Sequence, residues 1–421
     1  MDAAEAPHAT EAPHAAEAPH AAEAPHVAFD PWSPEFVADP YPAYERLRAA
    51  GRAHWYAPTR QWLVPHHEDV SALLRDRRLG RTYTHRFTHA EFGREAPDPA
   101  HEPFHTLNDH GLLDLEGADH TRIRRLVSKA FTPRTVENLA PTVRRLAAEL
   151  VGGLVADGGG DLMARVAEPL PVAVIAEMLG IPADEEERGR LRPWSADICG
   201  MFELNPSEET ARRAVRASVE FSAYLRELIA RRRARPGDDL ISALVGVADL
   251  TEQEMVSTCV LLLNAGHEAT VNTTVNGWWT LLREGVRPDP GPVGLSTAVE
   301  ELLRYDTPLQ MFERWVLDDI ELGDVVIPRG AEVALLFGSA NRDPARFGPT
   351  AGRLDLTRAD NPHLTFGAGI HYCLGAPLAR LELSAVFGEL LRQAPGLRLA
   401  AEPERKPGYV IRGFTELLVE V

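Results

Sequence analysis

Cysteine is scarce in this chain: three residues in 421, at Cys199, Cys259 and Cys373. That excludes a disulfide framework and a four-cysteine zinc site. Long apolar runs are missing too, and no stretch approaches the roughly 18 uncharged apolar residues that a bilayer crossing requires. The opening Met-Asp-Ala-Ala-Glu has neither a basic nor an apolar leader region, so no secretory signal is read. Positive charge is in deficit, with 44 Lys and Arg against 62 Asp and Glu and a formal net charge of −18. A clustered basic surface is the usual footprint of nucleic-acid and anionic-membrane binding, so neither partner is expected. With 44% apolar and 25% charged residues, the composition is that of an ordinary globular protein, and a cytoplasmic location is expected.

A prior of about 150 residues per domain suggests two or three domains, but the patterning points to one. Residues 1–28 repeat Glu-Ala-Pro-His every six positions, with prolines at Pro7, Pro13, Pro19 and Pro25. Six-residue spacing suits neither helix nor strand and proline interrupts helices, so a disordered tail is expected. Weak metal binding by its histidines is the alternative. Residues 29–421 form the body. Helical signals dominate from Tyr41, broken by a hairpin at Ala53–Tyr56 and Gln61–Val64. The polar stretch Arg81–Leu115 lacks periodicity, and loops of that length are usually lids or binding loops. Leu397–Ala400 and Glu416–Val421 read as strands. No interior linker appears, so the expected architecture is mainly α with small β-sheets (α+β), in a single domain.

Four motifs bear on chemistry. Phe366-Gly-Ala-Gly-Ile-His-Tyr-Cys373-Leu-Gly375-Ala-Pro377 surrounds one cysteine with glycines. Gly367 and Gly369 permit a tight turn, and Pro377 suits the first turn of the helix that follows. Cys373 would then sit at a helix N-terminus, where amides and the dipole favour a thiolate, a soft metal ligand. A buried structural cysteine in a glycine turn is the plainer reading. A long helix is capped by Thr251 with Glu254 as capping-box partner and stops at Gly285, spanning roughly 50 Å at 1.5 Å per residue. Its middle, Ala265-Gly266-His267-Glu268-Ala269-Thr270, carries a glycine suggesting close approach by something flat and an acid beside an apolar run. A solvated Glu with a packing glycine is the alternative. In Asp119-His120-Thr121-Arg122-Ile123-Arg124, Asp119 is a cap candidate and Pro133 a stop. Ile123, Leu126, Val127, Ala130 and Phe131 mark the buried face. His120 and Arg124 are neighbours on one side, suited to an anion. Arg122, Arg125 and Lys129 form a separate basic stripe. In Glu300-Glu301-Leu302-Leu303-Arg304, Glu301 and Arg304 can pair within one helix.

In this order and spacing the motifs resemble a cytochrome P-450, a heme-thiolate monooxygenase of the soluble bacterial, secondary-metabolism kind, from about Asp30 to Val421. The resemblance implies heme b (iron protoporphyrin IX), with Cys373 as the iron ligand. It implies His120, Arg124, Arg314 and His371 around the propionates, and Phe366 and Gly375 in the heme loop. Arg358 would complete a structural triad with Glu301 and Arg304. Ala265, Gly266, Glu268 and Thr270 would form the oxygen-activating kink of the long helix. Two departures stand out: Ala269 occupies the place of a common threonine, and Gly117-Ala118-Asp119 replaces a Pro-Pro-Glu run.

The cofactor supplies the hard chemistry and the protein supplies orientation, dryness and protons. No flavin or nicotinamide region remains, so the resemblance implies electrons from NAD(P)H through ferredoxin reductase and ferredoxin, with the basic stripe as docking surface. It also implies a hydrophobic small-molecule substrate, such as a polyketide or terpenoid, that is hydroxylated or epoxidised. Pocket walls are expected from Arg81–Leu115, Cys199–Pro206, Leu262, Leu263, Leu309–Met311 and Gly413–Thr415. A peroxide-driven or coupling enzyme and a non-catalytic heme sensor are the other readings.

Overall fold

The computed structural model describes residues 28–421; the expected tail lies outside the described residues apart from Ala28. The long helix sets the frame. It runs from Glu252 to Glu284, 33 residues, with the Thr251–Glu254 capping box formed and Gly285 left-handed at its end. Around it pack Pro169–Leu179, Leu191–Cys199, Glu208–Ala234 and Ala376–Gln393. Glu208–Ala234 buries one face, at Ala211, Ala214, Ala217, Ser218, Phe221 and Leu225, as an amphipathic helix does, whereas Pro169–Leu179 is buried on nearly every side. Trp278 stacks on Phe387 with ring centroids 5.3 Å apart. Gly277 makes that approach feasible, since a Cβ there would lie 2.7 Å from Phe387 Cζ.

A five-stranded sheet flanks the helices, in the order His54–Tyr56, Gln61–Val64, Glu332–Leu335, Phe312–Val316, Leu79–Gly80. The first two form the expected hairpin. Gln61–Val64 is buried throughout and pairs in parallel with Glu332–Leu335, which explains its unalternating sequence. Both C-terminal strands are present but shorter, at Arg398–Leu399 and Leu418–Glu420. A glycine-rich partner that the sequence reading passed over, Gly159–Asp161, joins them.

Three expectations need correction. Arg81–Leu115 is not wholly loop, because Glu102–Asp109 is a helix that buries Phe104 and Leu107. The helix carrying His120 spans Gly117–Val127, with Glu116 rather than Asp119 at the cap position. Pro133 does not stop it: the chain tightens at Ser128–Phe131, and Pro133 opens the next helix, where a missing N–H costs nothing. The long helix is continuous through residues 265–270.

Candidate active site

A cavity of about 330 Å³ lies between the long helix and the glycine-rich loop. The loop folds as its glycines require, with Gly367 at φ +67° and Gly369 at φ +70°. A Cβ on Gly369 would stand 2.3 Å from Leu74 O, so the residue allows contact between loop and body as well as the turn. Cys373 N–H donates to Phe366 O at 2.9 Å, and Gly375 precedes the helix Ala376–Gln393 with Pro377 in its first turn. Cys373 borders the cavity floor. Burial pushes its thiol up, opposed by the Gly375 and Ala376 amides and by Arg124. The helix N-terminus alone therefore does not yield the expected thiolate; a bound metal ion, which selects the deprotonated ligand, would have to complete the shift.

His120, Arg124, Arg314 and His371 gather at one edge of this space. His120 and His371 rings are 4.5 Å apart, and Arg124, Arg314 and His371 line the cavity. Arg314 is 4% exposed; it donates to Glu313 O at 2.8 Å and makes no ion pair among the described residues. Burial, with Arg81 adding repulsion, pulls its guanidinium down to about 9. His120 Nε2 is buried without a partner, and burial with His371 and Arg124 nearby lowers this imidazole to about 4. His371 Nε2 lies 3.0 Å from Glu116 Oε1, which also accepts the Arg81 N–H at 2.7 Å. Glu116 was missed because only the tertiary fold brings it to residues 255 positions away.

Opposite the cysteine, the long helix presents Ala265, Gly266, Glu268, Ala269 and Thr270 to the cavity. A Cβ at Gly266 would meet the flexible end of Ile175 at 3.1 Å, so this glycine also eases the packing of the long helix on Pro169–Leu179. Glu268 Oε2 takes hydrogen bonds from Lys406 Nζ at 3.2 Å and Asn272 Nδ2 at 3.3 Å. Thr270 also reaches the wall, although it lies about 100° around the helix from Ala269. Other walls come from Leu107, Leu112, Cys199, Phe202, Leu262 and Leu309, all in expected regions, and from Ile198, just before one of them. Leu263, Met311 and Gly413–Thr415 are not among the lining residues, and Ile411 takes the place of the last.

Glu382 also lines the cavity, buried and with Oε1 unpartnered. Burial pushes its carboxyl up to about 8, so it is neutral near pH 7. It shares a helix face with Leu378 and Val386, four residues to either side; an acid on an apolar stripe was the available signal. Behind the loop, Glu301 and Arg304 are fully buried and joined at 2.7 Å, with Arg358 Nε 3.1 Å from Glu301. This is the triad the resemblance implied. In the basic stripe, Arg122 is engaged by Glu254 and Asp119, which leaves Arg125 and Lys129 exposed.

The donor set suits heme. Two cavity-facing guanidiniums without carboxylate partners and an orphaned imidazole nitrogen fit anionic propionates. A thiol on the floor of an apolar space fits a soft, deprotonated iron ligand.

The chain is similar to known proteins in sequence and in fold. The sequence model described as Cytochrome P450 matches residues 295–394. The chain is 38% identical over 402 residues to the cytochrome P450 monooxygenase PikC of Streptomyces venezuelae, covering 91% of each. It is 40% identical over 376 residues to the mycinamicin IV hydroxylase/epoxidase of Micromonospora griseorubida, covering 85% of this chain and 89% of that one. The crystal structure of P450BioI with an acyl carrier protein superposes at a TM-score of 0.85 and 34% identity, over 92% of this chain and 100% of the other.

Proposed function

The chain belongs to the cytochrome P450 family and is a monooxygenase; from that premise we propose that it hydroxylates or epoxidises a hydrophobic secondary metabolite of the polyketide or terpenoid kind. The carrying observation is the cysteine floor beneath an apolar cavity rimmed by unpaired Arg124 and Arg314. Cys373 is the proposed iron ligand. His120, Arg124, Arg314 and His371 are the proposed propionate partners, and Phe366 and Gly375 shape the loop around the heme. When bound, the heme iron supplies dioxygen activation, and the thiolate's electron push favours O–O cleavage.

The protein's own groups orient, exclude water and move protons. Leu262, Leu309 and Phe202 keep water from the reacting face. Glu268, tied to partly exposed Lys406, offers a route for protons from the surface. The Ala269 methyl neither donates nor accepts, so a hydroxyl or carbonyl on the substrate, near the oxidised carbon, completes the relay together with Glu268 and Thr270. Electrons come from NAD(P)H through ferredoxin reductase and ferredoxin, docking at the exposed Arg125 and Lys129. A cytoplasmic location fits this; no helix among the described residues is long and apolar enough to cross a membrane.

The test is the absorption of the reduced, carbon monoxide-treated protein, which should show the thiolate-type band. Cys373→Ser should abolish that band and turnover, while Cys199→Ala and Cys259→Ala keep both. A histidine-type band in the parent would overturn the ligand assignment. A spin-state titration with candidate compounds would identify the substrate class, and turnover with peroxide but not with ferredoxin would overturn the electron route.

A further inference from the structure

Away from the active site a second cavity, of about 100 Å³, opens where distant segments meet. Ala38–Tyr41, the last turns of the long helix at Trp279, Thr280 and Arg283, the Tyr305–Asp306 corner, Arg342, Arg405 and Arg412 all border it. Three guanidiniums converge on one buried carboxylate. Arg412 Nε donates to Asp306 Oδ1 at 2.8 Å, and Arg405 Nη2 donates to Oδ2 at 3.0 Å. Arg342 is clamped between the rings of Tyr41 and Tyr305, 3.3 and 3.8 Å from their centroids. It donates from Nε to Tyr305 O at 2.7 Å and has no ion pair among the described residues. Positive charge thus exceeds negative by two in the interior of the cavity. At its mouth, exposed Arg283 is outnumbered by Asp39 and Glu284, so the lining as a whole keeps a net charge of +1. Burial and the repulsion of Arg412 draw Arg405 down to about 10, although Asp306 opposes the shift.

Hydrogen bonding is equally lopsided. Thr273 and Thr274 return their hydroxyls to carbonyls four residues back, at 2.7 and 2.9 Å. Thr280, on the same helix and 2% exposed, does not: its buried hydroxyl has no partner, nor has the Trp279 indole N–H. Both residues line the cavity. Buried polar groups without partners are uncommon and call for an explanation, and donors beside Arg342, a guanidinium with no ion pair among the described residues, are what an oxyanion satisfies. The cavity is well below the roughly 300–1,000 Å³ of small-molecule pockets, which limits the ligand to phosphate size. The nearby C-terminal end of the long helix disfavours an anion by about half a charge, less than the lining's net excess of one.

We propose that this pocket binds a small oxyanion of the phosphate class, clamping the N-terminal segment, the end of the long helix and the Arg405–Arg412 stretch together. The experiment is a titration of heme-loaded protein with inorganic phosphate, and separately with sulfate, at ionic strength held constant with chloride. Calorimetry and thermal unfolding are the readouts. A saturable heat and a saturable rise in Tm are expected. Arg342→Leu, which leaves both Asp306 ion pairs in place, should weaken affinity at least tenfold. Thr280→Val, nearly isosteric, should weaken it severalfold. No saturable response, or a rise that merely follows ionic strength, overturns the proposal. Should Arg342→Leu fail to fold, unchanged affinity in Thr280→Val overturns it alone.

Discussion

Replacing Arg304 with methionine would strand Glu301 in a site from which water is excluded. Both side chains are fully buried. Arg304 gives two hydrogen bonds to Glu301, each 2.7 Å, and three more to the carbonyls of Asn341, Ala351 and Arg353 at 2.8, 2.7 and 3.2 Å. Breaking a buried pair by removing one partner costs about 3–5 kcal/mol, and each orphaned carbonyl about 1–3 kcal/mol more where no water reaches it. Arg358, the Asp355 N–H and the Asn361 amide still hold the carboxylate, which limits the loss. A net destabilisation of at least ~4 kcal/mol follows, about a thousandfold in the folding equilibrium at ~1.4 kcal/mol per decade. Urea unfolding of heme-loaded protein, followed by circular dichroism and heme absorbance together, measures it. A variant within ~1 kcal/mol of the parent at unchanged m would refute the argument.

Glu382→Gln should alter the pH profile of stability. With its folded value raised to about 8 against about 4.3 in an unfolded chain, the parent loses stability as pH rises from about 4.3 to 8 and then levels off. The glutamine variant should therefore gain on the parent by up to about 4 kcal/mol between pH 5 and 8, and parallel urea curves would sink the idea. Glu268→Ala should lower product formed per NADPH by about 10²–10⁴-fold, the scale of general acid–base catalysis. Thr270→Ala should cost less, and the parent should couple poorly with a substrate analogue lacking the nearby oxygen; a larger loss for Thr270→Ala reverses the roles. Gly277→Ala should cost about 1–3 kcal/mol by overpacking Phe387, as measured by Tm, and Phe387→Leu in the same chain should relieve it.

What could be read from the sequence was what is encoded locally. The capping box at Thr251, the stop at Gly285 and the turn at Gly367 and Gly369 each depend on residues a few positions apart, and all three formed. The hairpin near Gln61 followed from its own apolar runs. The Glu301–Arg358 contact spans 57 residues, and only resemblance to a family supplied it. The misses share a cause. Glu116, Lys406 and Ile411 reach the site through tertiary packing, and Gly159–Asp161 is a strand because Leu418–Glu420 lies beside it, not through β propensity. Ile175, which packs at Gly266, was missed as well, since a glycine's neighbour is invisible in one dimension.

The parallel pairing of Gln61–Val64 with Glu332–Leu335 carries a consequence for biosynthesis. The two strands emerge from the ribosome 268 residues apart (332 − 64), which at ~5–20 residues per second is roughly 13–54 s. Through that interval Trp62, Leu63 and Val64, all buried in the finished fold, have only the short hairpin arm His54–Tyr56 to pair with. A nascent chain with an uncovered apolar strand edge is prone to aggregation. The yield of heme-loaded protein should therefore respond to translation speed and chaperone supply more than to heme supply.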